Sequence, residues 1–261
     1  MSDIKHFKNN ITADLYIGQG AGKKLLHDLE NAQKSVKIVS PYLSPIYIEK
    51  LVYLSSKGIN ITLITSDDIE DYRDVLTPKV ITKLIKQVRH VDEIAQRQRE
   101  KQKNLKKWLI IFLVADVISN ILLALNHKNN ILLILGSFVV LLVVISLSYQ
   151  IKNKRIFTYS YEQLFPFRVF VSPYNKKLRN VSSFFIHSKI YIIDEWIAYL
   201  GSLNYTKSGL ETNFESRIRI TNNQVVSELS NLVEELFHNN DENAYIDVQS
   251  WGKQLYKEPI N

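Results

Sequence analysis

His187-Ser-Lys189-Ile-Tyr-Ile-Ile-Asp194, followed at once by Glu195-Trp-Ile-Ala-Tyr-Leu-Gly201-Ser202-Leu-Asn204, gathers a nucleophile, a cation and several polar donors into one short run. On a strand alternate residues share a face, so His187 and Lys189 point the same way while Asp194 has the opposite parity. A histidine beside an ammonium is placed to attack phosphorus, because the cation attracts the phosphate oxygens and stabilises the charge of the five-coordinate transition state. Asp194 is expected to leave that face and to serve the turn at Asp194-Glu195-Trp196. The next strand ends at Gly201, where the backbone can approach closely, and Ser202 and Asn204 read as donors to phosphate oxygens. Farther on, Glu215 in Asn213-Phe-Glu215 is expected to orient the imidazole as a carboxylate does in hydrolase triads, with Glu211 as its rival.

Working outward, the chain alternates between elements. Asp14–Ile17, Val36–Ser40 and Ile59–Thr65 read as strands, with helices over 21–34 and 45–57 between them, an opening that favours a layered α/β sheet. Residues 78–107 repeat apolar positions at helical spacing and grow steadily more basic, which predicts a long helix. Strands are expected at 167–172, 184–193, 197–201 and 215–221, with a helix over 224–238. The stretch from Asn239 onward reads as a loosely packed tail.

Between Trp108 and Tyr149 charge almost vanishes. Two apolar runs, 108–125 and 131–149, are each about 27 Å long as helices, enough to cross a hydrocarbon core. The competing reading is a pair of buried helices, supported by Asp116 and Asn120. Arg97, Arg99, Lys101, Lys103, Lys106 and Lys107 before the first run, and Lys152, Lys154 and Arg155 after the second, favour a membrane hairpin with both flanks cytoplasmic. Asp116 reads as a structural partner of Asn120 or of its counterpart in a second copy. No signal peptide is visible in the polar stretch 1–10. The expected organisation is one cytoplasmic domain in two pieces, 1–107 and 151–239, around a hairpin at 108–150, followed by a tail at 240–261.

Composition adds little. The 261 residues are 46% hydrophobic, enough for a substantial core, and the net charge of +7 partly reflects the hairpin flanks. With no cysteine there are neither disulfides nor thiolate metal sites. Gly18-Gln-Gly-Ala-Gly22-Lys23-Lys24 imitates a phosphate loop but is one residue short and has Lys24 where Ser or Thr is needed, so it reads as a strand-to-helix turn.

The spacing of His187, Lys189, Asp194, Gly201, Ser202 and Asn204 resembles the signature of the phospholipase D superfamily, His-x-Lys, four residues, Asp, six residues, Gly-Ser-x-Asn. Asn213-Phe-Glu215 looks like the downstream acidic position of that family, and 21–44 looks like the opening of its domain. The resemblance implies an α-β-α layered domain with a mixed central sheet. It also implies a phosphohistidine formed without metal or cofactor, and a second motif histidine that protonates the leaving group. This chain has one motif, since His6-Phe-Lys8 lacks the rest of the pattern, so the resemblance implies a homodimer with both His187 side chains in one cleft. The expected catalytic set is His187, Lys189, Ser202, Asn204 and Glu215, with Asp194 and Gly201 structural. The expected partners are a second copy, a phosphodiester substrate and a bilayer at 108–149. A nuclease on DNA or RNA leads, helped by Lys176-Lys-Leu-Arg179 near the motif. A phospholipase or phosphatidyl transferase and a non-catalytic membrane scaffold are the alternatives.

Overall fold

The computed structural model describes residues 9–66, 84–125, 131–170, 186–238 and 247–261. Contacts divide the chain into two units, one of residues 1–86 and 161–256, the other of residues 87–160 and 257–261.

The first unit is built on a seven-stranded mixed sheet. Its strands are β1 (Asp14–Gln19), β2 (Ser35–Val39), β3 (Asn60–Ser66), β6 (Phe167–Phe170), β7 (Ile190–Ile193), β8 (Ile197–Gly201) and β9 (Phe214–Ile220), in the order β1-β9-β8-β7-β2-β3-β6. The pairs β2–β3 and β3–β6 are parallel and the others antiparallel. Strands from before and after the apolar runs thus share one sheet. The most buried strands, with Val36, Ile38, Val39, Leu63 and Ile64 fully enclosed, read as nearly continuous apolar runs because helices cover both faces.

Three helices matter here: α1 (Lys23–Glu30), α2 (Pro45–Ser56) and α5 (Asn223–Phe237). On one face Val225, Val226, Leu229 and Val233 of α5 pack with Val39, Ile64, Ile190, Ile192, Ala198 and Ile220. The Asn222 side chain caps α5 by accepting from the Val225 amide at 3.2 Å. Tyr199, of opposite parity to Ala198, donates to Asp28 of α1 at 2.6 Å and so marks the other face. An α-β-α layering results.

The second unit holds the long helices α3 (Glu93–Leu125) and α4 (Ile131–Asn153). Both are long and apolar enough to cross a membrane. They pack antiparallel: Arg99 donates to the Ile151 carbonyl at 3.1 Å, Gln102 meets Gln150 at 3.1 Å, and the Ser137 hydroxyl donates to the Asp116 carboxylate. Asn120 donates to the Asp116 carbonyl at 3.0 Å. The Asp116 carboxylate is therefore paired with Ser137 of the facing helix, whereas Asn120 of its own helix meets the Asp116 backbone carbonyl.

Four readings from the sequence change. The helix expected over 78–107 begins only at Glu93, because Ile85–Val91 is strand β4, paired with β5 (Phe157–Gln163) in a two-stranded ribbon. Val88 and Val91 suited either period, and the decisive partner lies on the far side of the hairpin. Strand β5, with alternating Phe157, Tyr159 and Tyr161, was not foreseen. The strand expected over 184–193 is regular only at Ile190–Ile193, since residues 186–189 lead into it without ladder pairing. In the tail, Val248–Leu255 forms helix α6, capped by Asp247 and holding a buried Trp251. Residues 78–83, 171–172, 176–179 and 184–185 lie outside those described.

Candidate active site

Sheet order brings the motif residues to one edge. Strands β7 and β8 are antiparallel, with Ile190 opposite Leu200, so the residues preceding β7 and those following β8 emerge together. Beside them β9 starts, with Arg217 opposite Gly201 and Glu215 two residues nearer the edge. His187, Lys189, Ser202, Asn204 and Glu215 all belong to this edge, whereas Asp194 lies at the other end of β7.

Lys189 is buried while His187 is exposed. The Lys189 ammonium lies 3.0 Å from Nδ1 and 3.1 Å from Nε2 of the His187 ring, and donates to the His187 carbonyl at 2.7 Å. The shared facing expected of a regular strand is thus reached by an irregular lead-in that folds the lysine back. Burial, and then the ammonium, lower the His187 pKa from its ordinary value. Burial lowers that of Lys189 as well, opposed by the Glu215 carboxylate. The consequence is a neutral imidazole, with a lone pair for nucleophilic attack, held against a cation that can receive phosphate oxygens.

The Glu215 carboxylate accepts from the Ser202 hydroxyl and, at 3.1 Å, from Asn213 Nδ2. Ser202 is held in place by its neighbour strand: its amide donates to the Ser216 carbonyl at 3.0 Å and its hydroxyl accepts from the Ser216 amide at 2.9 Å. Gly201 makes this possible, since a Cβ there would collide with the Ser216 carbonyl oxygen. The rival carboxylate, Glu211, accepts from Tyr47 at 2.6 Å instead. Asn204 Oδ1 is buried and has no hydrogen-bond partner among the described residues. Its backbone is crowded by Gly209, where a Cβ would come within 2.6 Å of the Asn204 carbonyl oxygen.

Asp194 and Glu195 both have positive φ, 54° and 60°, and form the centre of a tight turn, closed by the Trp196 amide donating to the Ile193 carbonyl at 3.0 Å, within the three-residue connection between β7 and β8. The Asp194 carboxylate also accepts from the amides of Gln33, Lys34 and Ser35 at 2.6 to 3.0 Å, fastening that hairpin to the start of β2. Its work in the fold is structural.

Sequence reasoning missed the tyrosines beneath the site. Tyr191 donates to the Leu203 carbonyl at 2.7 Å, and the Tyr205 amide donates to Ser40 at 2.9 Å, so both ends of the Leu203–Tyr205 segment are pinned. The rings of Tyr47 and Tyr191 pack on Tyr205 at 5.2 and 6.1 Å. The signal was present, since Tyr191 shares the strand parity of His187 and Lys189. Among the described residues no cluster of three or more His, Asp or Glu is arranged to hold a metal.

Among curated proteins no sequence relative matches. Among solved structures, NucT from Helicobacter pylori is similar at a TM-score of 0.43 and 14% identity, covering 90% of this chain and 99% of that one. Nuc from Salmonella typhimurium, a phospholipase D family member, gives 0.42 and 13%, covering 86% and 93%. Phosphatidylserine synthase from Haemophilus influenzae gives 0.43 and 12%, covering 97% of this chain and 44% of that one. Likenesses this distant decide nothing about substrate. Sequence-family comparison is more direct: residues 25–237 match the family described as cardiolipin synthase, PLD-like domain. That match spans both halves of the sheet and every residue of the site edge, so the chain belongs to the PLD-like domain family, within the phospholipase D superfamily.

Proposed function

We propose that this protein is a membrane-anchored phosphodiesterase that works through a phosphohistidine at His187 and acts on nucleic acid. The observation that carries the reading is the Lys189 ammonium seated on the His187 ring. A ring nitrogen of His187 forms a bond to phosphorus as the P–O bond to the leaving group breaks, and the departing oxygen takes a proton from His187 of a second copy. Water then attacks phosphorus, the P–N bond breaks, and the water proton returns to that second histidine. Lys189 and Asn204 hold the phosphate oxygens, and Ser202, whose hydroxyl hydrogen is given to Glu215 in this structure, joins them when that hydrogen turns to phosphate. Lys207, exposed just after the Asn204 segment, adds positive charge suited to a phosphate backbone.

The anchor is the pair α3 and α4, whose side chains between Ile110 and Val143 are largely exposed and apolar. In a bilayer that exposure is favourable, and the basic flanks favour an orientation with the catalytic unit and both termini on the cytoplasmic side. These helices also support a second reading, a phospholipid phosphodiester as substrate.

The test is an assay of the detergent-solubilised protein, in the presence of EDTA, on single-stranded DNA, RNA and phosphatidylglycerol vesicles, beside His187→Ala. The expected result is cleavage of nucleic acid, abolished by the substitution, with an acid-labile phosphoenzyme trapped by a denaturing quench. Turnover of vesicles alone would favour the second reading. Activity that survives His187→Ala would overturn the mechanism.

A further inference from the structure

Strand β9 presents Glu215, Arg217 and Arg219 on one face, the face that carries Tyr199 on β8 and Tyr16 on β1. Two of the three charges are accounted for. Glu215 is held by Ser202 and Asn213. Arg219 pairs with Asp28 at 3.2 Å and Asp14 at 3.7 Å and contacts the Tyr199 hydroxyl at 3.1 Å. Arg217, between them, has no carboxylate partner among the described residues, and its Nε is buried without an acceptor. Its guanidinium lies over the rings of Tyr16 and Tyr199, at 5.3 and 5.5 Å from their centroids.

A half-buried guanidinium with an unmet N–H is costly to maintain, and its planar fork of donors matches a phosphate. Gly18 stands opposite Glu215 on β1 and Gly201 opposite Arg217 on β8, so β8 sends no side chain across from Arg217, while Tyr16 of β1 flanks it on the other side. Glu215 lies two positions from Arg217 along β9, about 7 Å toward the reacting edge, a distance of the same order as that between neighbouring phosphates of an extended single strand.

We infer that Arg217 binds the phosphate next to the scissile one on a single-stranded nucleic acid, with the partly exposed Tyr16 ring beside it as a stacking surface for a base. This rests on the nuclease reading and sharpens it. A phospholipid with a single phosphodiester has no second anion to place on Arg217, whereas a nucleic acid always has one.

The experiment compares Arg217→Gln and Arg217→Lys with wild type, all full-length in detergent micelles. One probe is an octathymidylate and the other is bis(p-nitrophenyl) phosphate, which carries a single phosphodiester. For Arg217→Gln the loss in kcat/KM on the octamer should exceed the loss on the small diester by about 10-fold or more, mainly through KM, as expected for one bidentate phosphate contact. In a His187→Ala background, the dependence of octamer binding on salt should flatten by about 0.7 in log–log slope with Arg217→Gln, and Arg217→Lys should retain it. Thermal unfolding of each variant separates a folding defect from a lost contact. Equal losses on both probes, or an unchanged salt slope, would overturn the assignment while leaving the nuclease reading intact. A wild-type enzyme that turns over vesicles and the small diester but not the octamer would overturn both.

Discussion

At the scale of single residues, the site turns on the pairing of His187 with Lys189. The proposed nucleophile, His187, must be neutral, and both partial desolvation and the adjacent ammonium hold its pKa below the ordinary 6.5. The acid limb of kcat/KM should therefore lie below that value. Lys189→Met removes the ammonium, so the acid limb should move toward higher pH while the maximum falls by about 100-fold or more. A pH–rate series on the two proteins tests this, and a limb that stays still or moves toward acid would refute the electrostatic coupling. The sign for stability follows the same shift. Above 6.5 the histidine is neutral whether folded or unfolded. As pH drops below it the unfolded chain takes up the proton first and stability declines.

How much of this was readable differs by residue. Spacing marked His187, Lys189, Ser202 and Asn204 as candidates, and parity predicted that Asp194 would leave their face. The hold of Glu215 on Ser202, and of Glu211 on Tyr47, did not. Those contacts depend on which strands become neighbours, and β8 meets β9 through a π-helical turn at Ser208–Thr212 that no sequence period marks. Arg217 was hidden for a related reason, since an unpaired cation is recognisable only once the partners of Arg219 and Glu215 are known.

At the scale of elements, the helices and buried strands on either side of the apolar runs were legible because the apolar period marks them. The failure at Ile85–Val91 is instructive. A strand whose partner is Phe157–Gln163 looks locally like the start of a helix, and only the distant pairing decides between them. The hairpin itself yields a topological prediction made convenient by the absence of native cysteine. With α3 and α4 spanning a bilayer, a single Lys128→Cys should react with a membrane-impermeant maleimide added outside intact cells. Asn153→Cys should react only after permeabilisation. Both sites labelling alike would remove the proposed orientation.

At the scale of the whole molecule, the site edge carries one histidine of the proposed mechanism, and a second copy must bring the other. Subunits of wild type and His187→Ala, mixed in equal amounts and allowed to exchange, should retain about a quarter of the activity if every active unit needs two histidines, because only wild-type pairs then work. Retention of about half would mean that each chain acts independently.

The sheet order also carries a timetable. Strand β1 waits for β9, and β2 for β7, across nearly the entire chain, with α3 and α4 made in between. During synthesis the first three strands therefore emerge with their edges open, and the apolar helices leave the ribosome before any strand that could close the sheet exists. If those helices enter the membrane as they appear, the unfinished domain is tethered before the proposed nucleophile exists, and His187 arrives with the closing strands at a place already chosen.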